Sequence, residues 1–420
     1  MLENYYLKPQ TIDRIRANWL AQPVEQYVTW LHNGGYAARM VFRRVPLLLH
    51  FGAYAQSKGA KAWSDLPHHV RGFVDDWVRD HSENCQTDRA RKSVANAVRG
   101  PVQQMLRLLL PDFAVTGRGR PFPFIEQVPG FVAHLRDERG LRPATVLIYR
   151  HCLRHLETYL KEIKVGSLQE LSPTILSAFV TSRREGWGIS TLGTLCGVLR
   201  VFLRYLFRER LIPQDLSQCV EGPRQYRLSN IPRSISWAEV ERMLAAVDRR
   251  SAVGRRDYAI LLLLVTYGLR GREVAALTLD DIDWERERLR IPERKAGHST
   301  AYPLSPVVAE AIIDYLKHGR PQKTDRRIFY RVLAPWDPMT AGGVSTRASY
   351  YLHKAGVSVP RPGSHTLRHT CVQRLIDAHF PLKTIGDYVG HGSPESTAIY
   401  AKVSIESLRE VALGDGEEVV

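Results

Sequence analysis

Residues 365–400 read HTLRHTCVQRLIDAHFPLKTIGDYVGHGSPESTAIY. Apolar spacing and the punctuation at Pro381 and Gly390 predict helices over about 365–378, 381–389 and 394–402. On the first, His365 and Arg368 stand at i and i+3, so imidazole and guanidinium point at one target while Leu367 faces elsewhere. The second ends in Val389-Gly390-His391 and the third in Ala398-Ile399-Tyr400. Each piece alone has a bland reading. His391 would end a helix and meet its C-terminal dipole, and Tyr400 would be a half-buried helix tyrosine packed beside Ile399 and Val403.

Upstream lie further pieces of the same kind. Arg255–Tyr267 reads as a buried helix, broken by the glycine of Tyr267-Gly-Leu-Arg270-Gly-Arg-Glu273. Arg294-Lys295-Ala-Gly297-His298 falls in a polar turn, Glu293–Ser299, between strands expected at Leu289–Ile291 and Thr300–Leu304. Ser236-Trp-Ala-Glu239 is a capping box opening a helix, and two more helices are expected at about 306–317 and 342–355. Residues 235–405 therefore form a mainly helical domain with a small sheet, followed by a tail at 406–420. Ser404–Leu413 can continue as a short amphipathic helix before the acidic end GDGEEVV.

The remainder is divided by two basic, Gly/Pro-bearing breaks, TGRGRPFP at 116–123 and EGPRQYRLSNIPRS at 221–234. The segments they separate, 1–115 and 124–220, read as two copies of one helical unit. Tyr27–Leu31 matches Phe131–Leu135. Gly35, His50, Tyr54 and Leu66 match Gly140, His155, Tyr159 and Leu171 at an offset of 105. The offset falls to 97 at Leu106, Arg107 and Leu109 against Leu203, Arg204 and Leu206, which predicts a shorter loop in the second copy.

With 420 residues, the chain is too long for one ordinary core. Its 59 basic and 43 acidic residues leave +16, and only 12 of the basic residues are lysines. Arginine forks match phosphate geometry, so nucleic acid leads among partners, ahead of an acidic membrane or protein surface. A GC-rich genome would also raise the Arg/Lys ratio, without explaining the net charge. Residues 1–230 carry +12 of the excess, 32 basic against 20 acidic, so the helical modules are expected to hold the polyanion. The longest apolar run, Ala259–Val265, is far short of a bilayer span, and MLENYYLKPQ holds no signal-peptide core. Five scattered cysteines without metal-ligand spacing fit a reducing cytoplasm.

Together these blocks resemble the tyrosine recombinase (phage integrase) family, whose catalytic blocks occur here in order across about 235–405. The resemblance implies helical core-binding (SAM-like) modules followed by a tyrosine recombinase catalytic domain. It implies that Arg270 is the first catalytic arginine with Glu273 supporting it, Lys295 the hairpin lysine, His365 and Arg368 the HxxR pair, His391 the next histidine and Tyr400 the nucleophile. His369 and His298 are supporting candidates. The chemistry fits the residue types. Two always-charged bidentate donors suit the extra negative charge on a phosphoryl group under in-line attack. A tyrosine hydroxyl, with pKa about 10, needs cationic neighbours and a proton acceptor such as His365. A lysine whose pKa nearby guanidinium groups depress can protonate the leaving 5′ oxygen. No metal and no other cofactor is expected.

The implied function is site-specific DNA recombination through a 3′-phosphotyrosine, for integration, excision or transposition of a mobile element. Relaxation of the type IB topoisomerase kind, or a non-catalytic DNA-binding accessory role, remain open alternatives. Expected partners are double-stranded DNA and a homo-tetramer on synapsed sites, or a hetero-oligomer with sister recombinases, in a bacterial cytoplasm and with no membrane. Three departures stand out. Gly271, where a larger residue is common, is expected to loosen a helix start. His379 occupies a helix end that favours glycine. Residues 1–115 are helical where arm-binding phage integrases carry a small β-rich domain, and look more like an extra core-binding module of insertion-sequence or transposon type.

Overall fold

The computed structural model describes residues 1–81, 87–111, 113, 121–224, 234–292 and 299–390. Three large hydrophobic cores organise them, drawn from residues 1–113, 122–220 and 235–388, with a small fourth cluster of Val372, Ile385 and Val389. Met1–Ala114 and Asn230–Val420 form one compact unit, and Val115–Ser229 forms another.

The first core is enclosed by α1 (Pro9–Arg16), α2 (Ala21–Asn33), α3 (Ala38–Ser57), α4 (Leu66–His81) and α5 (Asp88–Leu109). Apolar residues at helical spacing make the inward stripes, Val24, Tyr27, Val28 and Leu31 on α2 and Val98, Val102, Met105 and Leu106 on α5. The Thr87 hydroxyl accepts from the Ala90 amide at 3.2 Å and caps α5.

The second unit contains α6 (Phe131–Ala133, continued by a π-turn at His134–Glu138), α7 (Pro143–Glu162), α8 (Pro173–Ser182) and α9 (Ile189–Arg208). A shift of 105 residues carries α3 onto α7 end for end, and the 3₁₀ turn Trp63–Asp65 onto Leu168–Glu170. It also carries left-handed Gly35 (φ +74°) onto left-handed Gly140 (φ +59°). Helix α8 has 10 residues against 16 in α4, so part of the change in offset lies in a shorter helix. Helix α9 is long and apolar enough to cross a bilayer, but half of its most apolar stretch is buried inside the unit. Leu195, Leu199, Phe202 and Leu206 supply that core, and Arg200 and Arg204 bond to Val220 and Ser217 of the following segment.

In the third segment Ser236 and Glu239 form the capping box of α10 (Trp237–Ala245), with reciprocal bonds of 2.8 and 3.3 Å. Helix α11 (Ala252–Tyr267) is buried on almost every side, so its apolar run needs no amphipathic period. A buried ionic group ties it to its neighbours. Asp257 accepts from Arg256 at 2.6 Å and from Arg347 at 2.7 Å, and Arg256 also donates to the Tyr330 carbonyl. After α12 (Gly271–Ala276) comes an antiparallel sheet of β1 (Ile282–Asp283), β2 (Arg288–Ile291) and β3 (Thr300–Pro303), with Leu289 opposite both Ile282 and Tyr302. Strand β1 was not expected, because two residues are too few to show an alternation. Then follow α13 (Pro306–His318), α14 (Ala341–Lys354), α15 (Ser364–Asp377) and α16 (Leu382–Val389). His379 takes the left-handed conformation, φ +60°, that its position required. Gly271 does not loosen its helix. An added Cβ would stand 3.2 Å from both the Ala341 carbonyl and the Ser364 hydroxyl, so the glycine permits close packing of α12 on α14 and α15.

The first module docks directly on the third segment, a contact that nothing in the sequence signalled. The Gly34 carbonyl accepts from the Trp336 amide at 3.0 Å, and the Lys323 ammonium donates to the Asn33 carbonyl while lying over the Trp336 ring. A Cβ on Gly35 would come 2.2 Å from that ring, whereas one on Gly140 would meet nothing within 4 Å. Gly140→Ala should therefore cost only the left-handed penalty, about 1 kcal/mol. Gly35→Ala should cost measurably more in urea denaturation followed by circular dichroism. The excess should vanish when Trp336→Ala is added, and its persistence would contradict the docking.

Candidate active site

Helix α11 stops at Gly268, whose φ of +59° turns the chain sharply toward α12. Arg270 stands at the N-cap of α12, where its amide donates to Glu273 Oε2 and its Nη1 to Glu273 Oε1, both at 2.8 Å. The Glu273 side chain is only 2% exposed, so this carboxylate fixes both the backbone and the guanidinium of one residue.

Arg368 reaches the same place from α15. It is 4% exposed, and donates through Nη1 to the Gly268 carbonyl at 2.5 Å and through Nη2 to the Val389 carbonyl at 2.8 Å. Helix α16 ends beside it at Gly390, left-handed at φ +68°, whose carbonyl accepts from Arg270 Nη2 at 2.8 Å. Two consecutive carbonyls, 389 and 390, thus hold one guanidinium each. Arg270 and Arg368 are drawn together although 98 residues separate them in sequence, and Glu273 pairs with Arg270. Charged groups this close lose hydration, and the aligned backbone dipoles at the end of α16 offset part of that cost.

His365 lies one turn before Arg368. Its outer edge meets solvent, but partial burial, Arg368 and Arg270 all lower its pKa, in that order of weight. His369, with its ring 6.5 Å from His365, is held lower still, at about 4, chiefly by burial and then by His365 and Arg368. Both rings are neutral at pH 7 and able to accept a proton. Buried Cys371 is pushed up to about 12 by burial and is an unreactive thiol, its Sγ directed at the Thr266 carbonyl.

Arg270, Glu273, His365 and Arg368 are therefore brought together, with His369 behind them. Lys295, His298, His391, Tyr400, the helix expected at 394–402 and the tail 406–420 lie outside the described residues. Residues 293–298 fall between β2 and β3 in sequence, and residue 391 directly follows Gly390. Sequence reasoning missed a cluster of three tyrosines beside this site. Tyr267 and Tyr302 pack at a tilt and Tyr302 and Tyr388 edge to face, with centroids 5.0 and 4.9 Å apart, and their hydroxyls bond to backbone carbonyls of neighbouring elements. In sequence they are isolated aromatics on two helices and a strand, so no spacing joins them.

Comparison with known proteins places this arrangement. Residues 233–406 match the phage integrase family, and residues 128–210 match the phage integrase N-terminal SAM-like domain. The putative integrase/recombinase y4rA of Sinorhizobium fredii (strain NBRC 101917 / NGR234) is 30% identical over 395 residues, 92% of each chain. The chain belongs to the phage integrase family of tyrosine recombinases. Among its relatives, the tyrosine recombinase XerC of Bacillus subtilis (strain 168) is 28% identical over 289 residues, 66% of this chain and 92% of XerC. The fold is similar to that of the XerH site-specific recombinase bound to a palindromic difH substrate in a post-cleavage complex. The TM-score is 0.55 at 18% identity, over 68% of this chain and 83% of XerH. The first 115 residues of this tyrosine recombinase precede both matched family ranges, yet an alignment covering 92% of the chain must extend through most of them. Most of this first segment is thus aligned with at least one relative.

The histidines make the recombinase fold acid-sensitive. A histidine whose pKa falls on folding binds fewer protons folded than unfolded between its two values. Its stabilisation is complete above the ordinary value of 6.5 and is lost as pH falls toward about 4. His369→Gln should therefore flatten the decline in stability between pH 7 and pH 5 by about 1 kcal/mol in urea melts. An unchanged slope would contradict a depressed His369.

Proposed function

We propose that this tyrosine recombinase cuts and rejoins double-stranded DNA at specific sites through Tyr400, in the service of a mobile element. The observation that carries the reading is the convergence of Arg270 and Arg368 on adjacent carbonyls with His365 beside both.

In this mechanism the two guanidinium groups bind the non-bridging oxygens of the scissile phosphate and stabilise the charge that builds as phosphorus becomes five-coordinate. The Tyr400 oxygen attacks phosphorus and its proton passes to neutral His365. The bond to the 5′ oxygen breaks, and Lys295 gives that oxygen a proton. His391, next to the Gly390 carbonyl that holds Arg270, joins the arginines on the phosphate. Glu273 orients Arg270. The 3′-phosphotyrosine keeps the energy of the phosphodiester, so the 5′ hydroxyl of a partner strand can reverse the steps and seal a new junction without ATP. The similarity to the XerC and y4rA recombinases over the catalytic region favours strand exchange over relaxation alone.

The assembly proposed is a tetramer on two synapsed duplexes, of identical chains or with sister recombinases, acting on the nucleoid DNA of the bacterial cytoplasm. Both helical modules contribute to holding DNA, and their net charge of +12 over residues 1–230 supplies the phosphate contacts.

On a nicked duplex carrying the mobile element's ends, the wild-type chain should give a denaturant-resistant protein–DNA adduct. Tyr400→Phe should give none while binding the duplex normally, and an adduct surviving in that variant would remove Tyr400 from its role. DNA affinity should fall by about 10³-fold or more between 50 and 200 mM salt, as expected for six or more phosphate contacts. A flat salt profile would contradict phosphate-dominated binding.

A further inference from the structure

The last carbonyls of a helix find no donor within it. At the end of α16 three in a row, of Tyr388, Val389 and Gly390, each accept from a side chain of another element. The donors are the Tyr302 hydroxyl on β3, Arg368 Nη2 on α15 and Arg270 Nη2 at the head of α12. The two arginines of the site therefore stand where this helix end stands, and the mechanism above has no use for the tyrosines.

Three hydroxyls fix that helix end. Tyr388 donates to the Thr266 carbonyl at 3.0 Å, which ties α16 to the last turn of α11. Tyr302, 2% exposed, donates to the Tyr388 carbonyl and ties β3 to α16. Tyr267 donates to the Pro303 carbonyl at 3.0 Å and accepts from the Ser305 amide at 2.8 Å, which ties α11 to the end of β3. The ties close a triangle with one tyrosine on each side. Arg368 spans one of the same sides, from the Val389 carbonyl to the Gly268 carbonyl. With the Tyr388 tie in place, Arg368 fills a gap of fixed width. Without it, more of that span falls on the arginine, which loses the fixed orientation that a phosphate needs. The apolar packing of α16, Ile385 and Val389 against Val372, is far less directional than a hydrogen bond and does not replace the tie.

We propose that Tyr267, Tyr302 and Tyr388 are positioning residues: their hydroxyls close a triangle among α11, β3 and α16 that sets the carbonyls on which Arg368 and Arg270 rest. This rests on the reading of the two arginines as ligands of the scissile phosphate. Donors must meet the charge that develops in the transition state, so a slight loosening costs rate, whereas DNA affinity comes from many phosphates and is kept.

The experiment separates arginine placement from general stability. Two nicked duplexes are compared, identical except that one carries a methyl group in place of a non-bridging oxygen at the scissile phosphate. That group has one negative charge fewer, so a defect in stabilising the charge shrinks on it. Tyr388→Phe and Tyr302→Phe keep the rings and remove only the hydroxyls. Each should slow adduct formation about tenfold or more on the phosphate duplex, come within about threefold of wild type on the methyl duplex, and bind both normally. Arg270→Ala reports on the underlying reading, with a loss of about 10²-fold or more that also shrinks on the methyl duplex. A further readout needs no DNA. In protein labelled with ¹⁵N-arginine, the Arg368 guanidinium should give separate, slowly exchanging N–H signals that broaden or merge in Tyr388→Phe. Equal slowing of the tyrosine variants on both duplexes, no slowing on either, or an unchanged Arg368 spectrum overturns the positioning role and leaves the arginines in place. An Arg270→Ala loss that does not shrink on the methyl duplex overturns the arginine reading and the inference built upon it.

Discussion

A buried helix that must stop and hand the chain to another helix within three residues needs a left-handed residue at the turn. In this chain that residue is Gly268. A side chain there would strain the backbone and would also meet Val389 and Cys371 at 3.1 and 3.2 Å. With the glycine in place, α15 and α16 pack against the end of α11, and the Gly268 carbonyl faces Arg368. The turn also puts Arg270 at the head of α12, where Glu273 can bond its amide and its side chain together. The positions of both arginines, and of His365 on the face of α15, follow from that one backbone conformation.

Much of this was legible before any coordinates. His365 and Arg368 share a helix face by spacing, the capping box at Ser236 names its own partners, and helix limits fall within a few residues of those read from apolar period. The illegible parts share a physical cause. The acceptors that organise the site are backbone carbonyls at 268, 389 and 390, and every residue carries a carbonyl, so sequence does not mark the ones that matter. Tyr267, Tyr302 and Tyr388 come from three elements and meet only once those elements pack. Gly271 was misjudged for a related reason. Its local effect on a helix is readable, but the closeness of α14 and α15 that demands it is a tertiary fact.

The basic charge needs a similar correction in meaning. Arginine was read as a phosphate ligand, and some arginines serve that purpose in the proposed mechanism. Many others are spent inside the protein on carbonyl oxygens. Arg200 donates twice to the Val220 carbonyl, Arg256 to Tyr330, and Arg320 to Arg327 and Asp325. The same planar fork that fits a phosphate fits a pair of chain carbonyls. A count of basic residues therefore overstates the surface offered to DNA.

The order of the two compact units along the chain has one more effect. Val115–Ser229 is an insertion, entered from Met1–Ala114 and left toward Asn230, while those flanking parts join through Trp336 and Gly35. Its core-binding module is consequently on a double leash. Breaking the chain on either side alone would leave it covalently attached. A module fastened at one end would wander with the full freedom of its linker. One fastened at both stays part of the same molecule after any single break.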